Sequence, residues 1–221
     1  MNSVILSKTY SEPPFENKEI LRYASCFQDD SRINSLLDDC LKELRDKLVY
    51  KVCYCELPLM IDKDCCSFGA FALQSQDLAK NLHGCQSVIL MAATVGIAID
   101  RLIARYGRIS PAKALMFQAI GAERIEALCD TFCTDISCEL GINLRPRFSP
   151  GYGDLSLAAQ KDIFSVLDCS KKIGLSLNDS LLMSPGKSVT AFAGICNQEE
   201  KANKNRCSLC NKKDCTFRGA L

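Results

Sequence analysis

Ser110-Pro111 and Gly141 bracket the longest periodic segment of the chain. A hydroxyl residue followed by proline suits a helix start, and glycine suits a left-handed helix terminator. Between them Leu115, Ile120, Ile125, Leu128, Phe132, Ile136 and Leu140 keep a roughly helical period, which predicts one long helix. Any fold for this chain has to be arranged around it.

The remaining elements alternate without a regular rhythm. From Ser31 to Leu48, Ile33, Leu36, Leu37, Cys40, Leu41, Leu44 and Leu48 recur at helical spacing, and Val49 to Cys55 reads as a strand. Ser75 is placed to cap a helix through Leu82, and Ser87 to Ala92 is an apolar run of strand length. A short helix follows from Ile97 to Tyr106, another resumes near Ser156, and a last strand spans Val189 to Ile195. The absence of an internal repeat or a regular alternation of strand and helix predicts an α+β fold, with a mixed, largely antiparallel sheet and packed helices. With 48% hydrophobic residues among 221, the chain can bury one sizeable core or two small ones. Residues 1–195 are expected to form one domain, followed by a cysteine-rich basic tail over 196–221.

Charge and cysteine usage narrow the class of function. Lysine and arginine number 27 against 26 acidic residues, so no overall field draws the chain to nucleic acid or to a membrane. The apolar stretch from Ser87 to Ile99 is shorter than the roughly 20 residues a bilayer span needs, and a cytoplasmic protein is expected. Of the 15 cysteines, Cys40, Cys85, Cys129, Cys133 and Cys169 sit at apolar positions and read as core thiols rather than as a disulfide framework. Gly186-Lys187-Ser188 resembles the end of a phosphate-binding loop, but Leu181 stands where that motif needs glycine. Gly151-Tyr152-Gly153 lacks the third glycine and the preceding strand of a dinucleotide fingerprint. His83, the single histidine, stands at a helix end that suits a cation.

Arg145 to Asp154 holds two prolines and two glycines, so it is a shaped loop rather than regular structure. Its core, Arg147-Phe148-Ser149-Pro150-Gly151-Tyr152-Gly153-Asp154, stands with Ala92-Ala93-Thr94-Val95-Gly96, Asp100-Arg101 and Ser184-Pro185-Gly186-Lys187-Ser188-Val189. Together they resemble the activation domain of cobalamin-dependent methionine synthase, most closely its small stand-alone forms, over about Ile20 to Ile195. The resemblance implies the fold of that domain and a site for S-adenosylmethionine at Arg147, Pro150, Gly151 and Tyr152. Physical chemistry agrees with those residue types, since a guanidinium matches the ligand carboxylate and a Pro-Gly backbone can approach a flat adenosine. Arg147 could instead satisfy loop carbonyls, and Arg145 competes for the ligand role. Gly151 and Ser188 would face the corrinoid.

The family's acidic ligand residue lies beside a tryptophan, which this chain lacks, so Glu12 and Glu19 are candidates for its equivalent. The family's closing tyrosines are also missing. No Asp-x-His-x-x-Gly pattern is present, so cobalamin is expected on a partner methionine synthase or related corrinoid protein. The implied function is reductive remethylation of that cobalamin. No catalytic side chain is required, because reduced cobalt is itself the nucleophile.

In the tail, Cys196, Cys207, Cys210 and Cys215 form a Cys-x10-Cys-x2-Cys-x4-Cys pattern suited to zinc or an iron–sulfur cluster. Lys204, Arg206, Lys212 and Lys213 would offset the thiolate charge. A second reading makes this tail the functional part of an electron-transfer or assembly module for corrinoid proteins.

Overall fold

The computed structural model describes residues 4–26 and 30–196. In chain order the elements are β1 (Leu6–Tyr10), α1 (Asn17–Tyr23), α2 (Ser31–Leu44), β2 (Tyr50–Pro58), β3 (Met60–Asp62), β4 (Cys65–Ser67) and β5 (Ala72–Gln74). They continue with α3 (Gln76–Asn81), β6 (Ser87–Thr94), α4 (Ala98–Ile109), α5 (Pro111–Leu140), β7 (Asn143–Leu144), α6 (Ala159–Leu167), α7 (Cys169–Ile173), β8 (Ser176–Leu177), β9 (Met183–Ser184) and β10 (Ser188–Cys196). The main sheet has the order β1-β2-β6-β10-β7, and every neighbouring pair is antiparallel. The expected α+β architecture with packed helices is therefore present.

Strand alternation divides the interior in two. Ile89, Met91 and Ala93 of β6 join Val52, Ala191, Phe117, Ile120, Leu128 and Phe132 on the α5 side. Val88, Leu90 and Ala92 face the other way, toward Leu78, Ile163, Phe192 and Phe68. A strand covered on both faces has no polar side, which is why 87–92 reads as an unbroken apolar run.

The long helix runs from Pro111 to Leu140 and stops at Gly141, whose φ of 62° is left-handed. Ser110 makes no side-chain cap bond, so proline alone marks the start. Leu115 and Leu140, expected on the buried face, are exposed near the two ends of the helix. Cys40, Cys129 and Cys169 are buried as core thiols, Cys85 and Cys133 lie half-buried at the margins of the two cores, and no described cysteine forms a disulfide.

Several boundaries differ from expectation, and α4 runs to Ile109 rather than to Tyr106. Helix α2 ends at Leu44 rather than Leu48, because Asp46 takes a φ of 59° and turns the chain toward β2. Strand β10 continues through Cys196, one residue past the expected domain boundary, and pairs that cysteine with Asn143. Strand β1 is mostly polar, and the strands of the β3-β4-β5 sheet, at 3 residues each, are too short to show a period. Among the described residues no helix is long and apolar enough to cross a membrane.

Candidate functional site

Residues 145–154 leave β7 along the edge of β10. The amide of Arg145 donates to the Gly194 carbonyl at 2.8 Å, and Phe148 and Phe192 exchange two backbone bonds of 2.8 Å. Pro146 has no amide to give, and its carbonyl accepts from Asn81 Nδ2 at 3.2 Å. The chain then turns at Ser149-Pro150-Gly151-Tyr152, where the Tyr152 amide returns to the Ser149 carbonyl at 3.1 Å. Gly151, with φ of 90°, fills the third position of a type II turn behind a proline in the second. Proline supplies the fixed φ and glycine the positive one.

Asp154 anchors the far end of the loop. Its carboxylate accepts from the Ser75 hydroxyl and from the amides of Gln76 at 2.8 Å and Asp77 at 3.2 Å, covering the start of α3. These donors hold its carboxyl below the usual range, with the Ser75 hydroxyl the largest cause. Gly153, at φ of 54°, lies so near the Asp77 carboxylate that a side chain there would collide with it.

The two arginines of the loop diverge. Arg145 Nη2 donates to the His83 carbonyl at 3.1 Å, just beyond α3. Arg147 reaches across to α5, where Nη1 meets Asp130 Oδ1 at 2.6 Å and Nη2 meets Glu126 Oε2 at 2.8 Å. Its side chain is only 7% exposed. Burial pulls its pKa down, but the surrounding Cys129, Cys133, Asp130 and Glu126 outweigh that and hold the proton more firmly than usual. Arg147 therefore bonds to carboxylates rather than to the loop carbonyls.

Glu126 and Asp130 are four residues apart on α5, and Glu123 precedes Glu126 by three, so the three share one face of the helix. Farther toward the helix start this acidic face meets the N-terminal segment. Arg124 is fully buried, pairs with Glu123, and donates to the carbonyls of Pro13 at 2.5 Å and Pro14 at 2.7 Å. The ring of Phe15 lies 3.9 Å from the guanidinium carbon. Glu123 also accepts from the amide of Glu16 at 3.3 Å.

Of the two acidic candidates, Glu12 accepts from the Tyr50 hydroxyl at 2.9 Å, beside a cleft of about 300 Å³ that Phe15, Asp38, Leu41, Lys42 and Arg45 also line. Glu19 is held by Arg22 at 2.7 Å. Tyr152 is 65% exposed beside the turn, and Pro150 is buried beneath it. Ser188, expected on a corrinoid-facing surface, is only 8% exposed. Its hydroxyl shares a bond of 2.8 Å with Thr94 and donates to the Pro185 carbonyl at 2.7 Å. The side chain is occupied inside the protein, so only its neighbourhood, not Ser188 itself, can meet a partner. Cys196 is described, whereas Cys207, Cys210 and Cys215 lie outside the described residues.

Comparison with solved structures gives a fold match. The crystal structure of the MetH reactivation domain bound to AdoHcy superposes with a TM-score of 0.64 at 13% sequence identity, covering 90% of this chain and 80% of that one. The two share a fold. No family model matches the sequence, and no curated protein sequence does so either. The loop that carries the sequence resemblance is thus set in a fold of the expected kind, with Glu126 and Asp130 added to its surroundings. These two carboxylates were not legible beforehand, since acidic residues on a helix ordinarily read as a solvated face.

Proposed function

We propose that the chain binds S-adenosylmethionine between the 145–154 loop and the acidic face of α5, and supports reductive remethylation of cobalamin on a partner corrinoid protein. The observation that carries this reading is the clasp of Arg147 on Glu126 and Asp130, on the same loop as the exposed Tyr152. The solved neighbour of the same fold is bound to AdoHcy, the demethylated form of that ligand.

The charge pattern suits the donor. S-Adenosylmethionine carries a sulfonium and an ammonium beside one carboxylate. Carboxylates at Glu126 and Asp130, the more exposed two on that face, complement the two cations, and a guanidinium complements the carboxylate. The two α5 carboxylates fix the plane of the Arg147 guanidinium, whose five N–H donors exceed the bonds they take. Tyr152 offers a ring and a hydroxyl at the loop surface.

In the reaction one electron from an external low-potential donor first reduces the partner's cobalt(II) to cobalt(I). The cobalt(I) electron pair then forms a bond to the methyl carbon, the sulfur–carbon bond breaks toward sulfur, and methylcobalamin and S-adenosylhomocysteine result. The protein contributes approach geometry rather than proton transfer. The test mixes the full chain with a cobalt(II) corrinoid protein, a low-potential reductant and S-adenosylmethionine, and follows methylcobalamin by absorbance. Methylation that requires both the chain and the methyl donor supports the reading. Methylation that proceeds at the same rate without the chain sinks it.

A further inference from the structure

We propose that Cys85 is a site of thiol–disulfide exchange with small disulfides, and that Cys196 resolves the adduct to close a Cys85–Cys196 crosslink. This inference is independent of S-adenosylmethionine binding. It starts from the ends of two paired strands. Cys85 follows Gly84 in the turn between α3 and β6, and Cys196 is the last residue of β10. The β6–β10 register places Ile195 opposite Ser87, so the two cysteines lie diagonally across the end of one strand pair. Their sulfurs are 3.8 Å apart, and both thiols are free. Cys196, grouped by sequence with the tail cysteines, is thereby assigned to Cys85.

The fold builds this contact. A side-chain carbon at Gly194 would come within 2.6 Å of Cys85 Sγ and 2.9 Å of Leu82, so the glycine gives the sulfur a seat over the backbone of β10. Arg145 ties the two arms together. Its amide donates to the Gly194 carbonyl at 2.8 Å and its Nη2 to the His83 carbonyl at 3.1 Å, each anchor two residues before one of the cysteines.

The remaining movement is short. A disulfide bond is about 2.05 Å long, so sulfurs now 3.8 Å apart must close by about 1.8 Å. Torsion about a Cα–Cβ bond between staggered wells moves a sulfur by up to about 3 Å, which puts the gap within side-chain reach.

Accessibility divides the roles. Cys85 is half-buried and can be reached from solvent, whereas Cys196 is only 5% exposed. Cys53 and Cys169, at 0% and 1%, are closed to such a reagent. Cys85 gives its proton to solvent, and its thiolate attacks one sulfur of the small disulfide, forming a mixed disulfide and releasing one small thiolate. Cys196, deprotonated in turn, attacks Cys85 Sγ and expels the second. Two protein thiols are thereby oxidised and one small disulfide is reduced to two thiols.

Burial, with the Cys196 thiol beside it, pushes the Cys85 thiol up to about 11. The reduced form holds little thiolate to stabilise it, which favours the crosslink at equilibrium, and exchange quickens about tenfold per pH unit below that value. The crosslink closes a ring between residues 111 apart, across the same arms that Arg145 bridges, and fixes the root of the 145–154 loop in oxidising surroundings.

The experiment exposes the full chain, purified under reductant and chelator, to glutathione disulfide over a range of disulfide-to-thiol ratios at mildly alkaline pH. Alkylation then quenches exchange, and mass spectrometry maps the cysteines. A linked Cys85–Cys196 peptide pair is expected, with a glutathione adduct at the exposed Cys138 as the positive control. The melting temperature should rise by about 5–15 °C and return on reduction. Cys85→Ser should lose both the crosslink and the thermal shift, and Cys196→Ser should leave Cys85 carrying glutathione. Far-UV circular dichroism verifies that the variants fold, and the map of the unaltered chain stands without them. Cys85 remaining a free thiol while Cys138 is modified, a glutathione adduct that persists at Cys85 of the unaltered chain, linkage of Cys85 to a different cysteine, or a crosslink that forms without raising the melting temperature would each overturn the proposal.

Discussion

Replacing Arg147 by alanine separates its structural part from its proposed ligand part. The guanidinium makes bonds of 2.6 and 2.8 Å to Asp130 and Glu126. A hydrogen bond between charged groups is worth about 1.5–3 kcal/mol when sheltered. Here the carboxylates are 66% and 36% exposed and can turn to water, so solvent screening brings both bonds together down to about 2 kcal/mol. For a chain of this size that lowers the melting temperature by about 4–8 °C and leaves a folded protein. Affinity for S-adenosylmethionine should fall by a further, separate amount of about 1.5–3 kcal/mol, or roughly 10- to 150-fold, if the guanidinium meets the ligand carboxylate. Titration calorimetry below the melting transition measures it. Arg145→Ala is the control, because that side chain points to the His83 carbonyl and should change affinity less. Unchanged affinity in Arg147→Ala, or a larger loss in Arg145→Ala, refutes the assignment.

Three further outcomes test the surroundings of the loop. Asp154 has a folded pKa below its ordinary value of about 3.9, so its stabilising contribution is present above about pH 4 and is lost as pH falls through the lowered value. Asp154→Ala should therefore lower the urea midpoint at pH 7, with a smaller difference below pH 3. Arg124→Ala strips the buried Glu123 of its partner and frees the carbonyls of Pro13 and Pro14, a loss of about 3–5 kcal/mol by urea unfolding. Gly121 sits under the Lys187 side chain, which an added methyl would meet at 2.8–2.9 Å. Gly121→Ala should gain less than the roughly 1 kcal/mol of helix propensity expected for the change, and Lys187→Ala should restore that gain in a double-mutant cycle.

The elements legible in the sequence were those whose burial is one-sided or complete. Helix α5 announced both ends through Pro111 and Gly141, and β6 announced its two covered faces through an uninterrupted apolar run. Ser75 was legible as a cap, and its hydroxyl does accept from the Leu78 amide at 3.0 Å. Strand β1 was not, since Lys8 and Tyr10 are polar-ended residues whose bonds to Asp135 lie across more than a hundred residues of chain. The same limit applies to the α5 carboxylates. A helical glutamate reads as solvated until a distant arginine is folded against it.

The loop itself explains why its short motif carries so much of the resemblance. Pro150 and Gly151 are required by the turn, Gly153 by the approach to Asp77, and Asp154 by the start of α3. Phe148 packs against the second core, and of the four residues to which the ligand role was carried, Arg147 and Tyr152 are the two whose side chains the turn does not demand. The root of the loop is constrained as well, because Arg145 is bonded to Gly194, the residue that seats the Cys85 sulfur. Two residues along the chain, Arg147 grips α5.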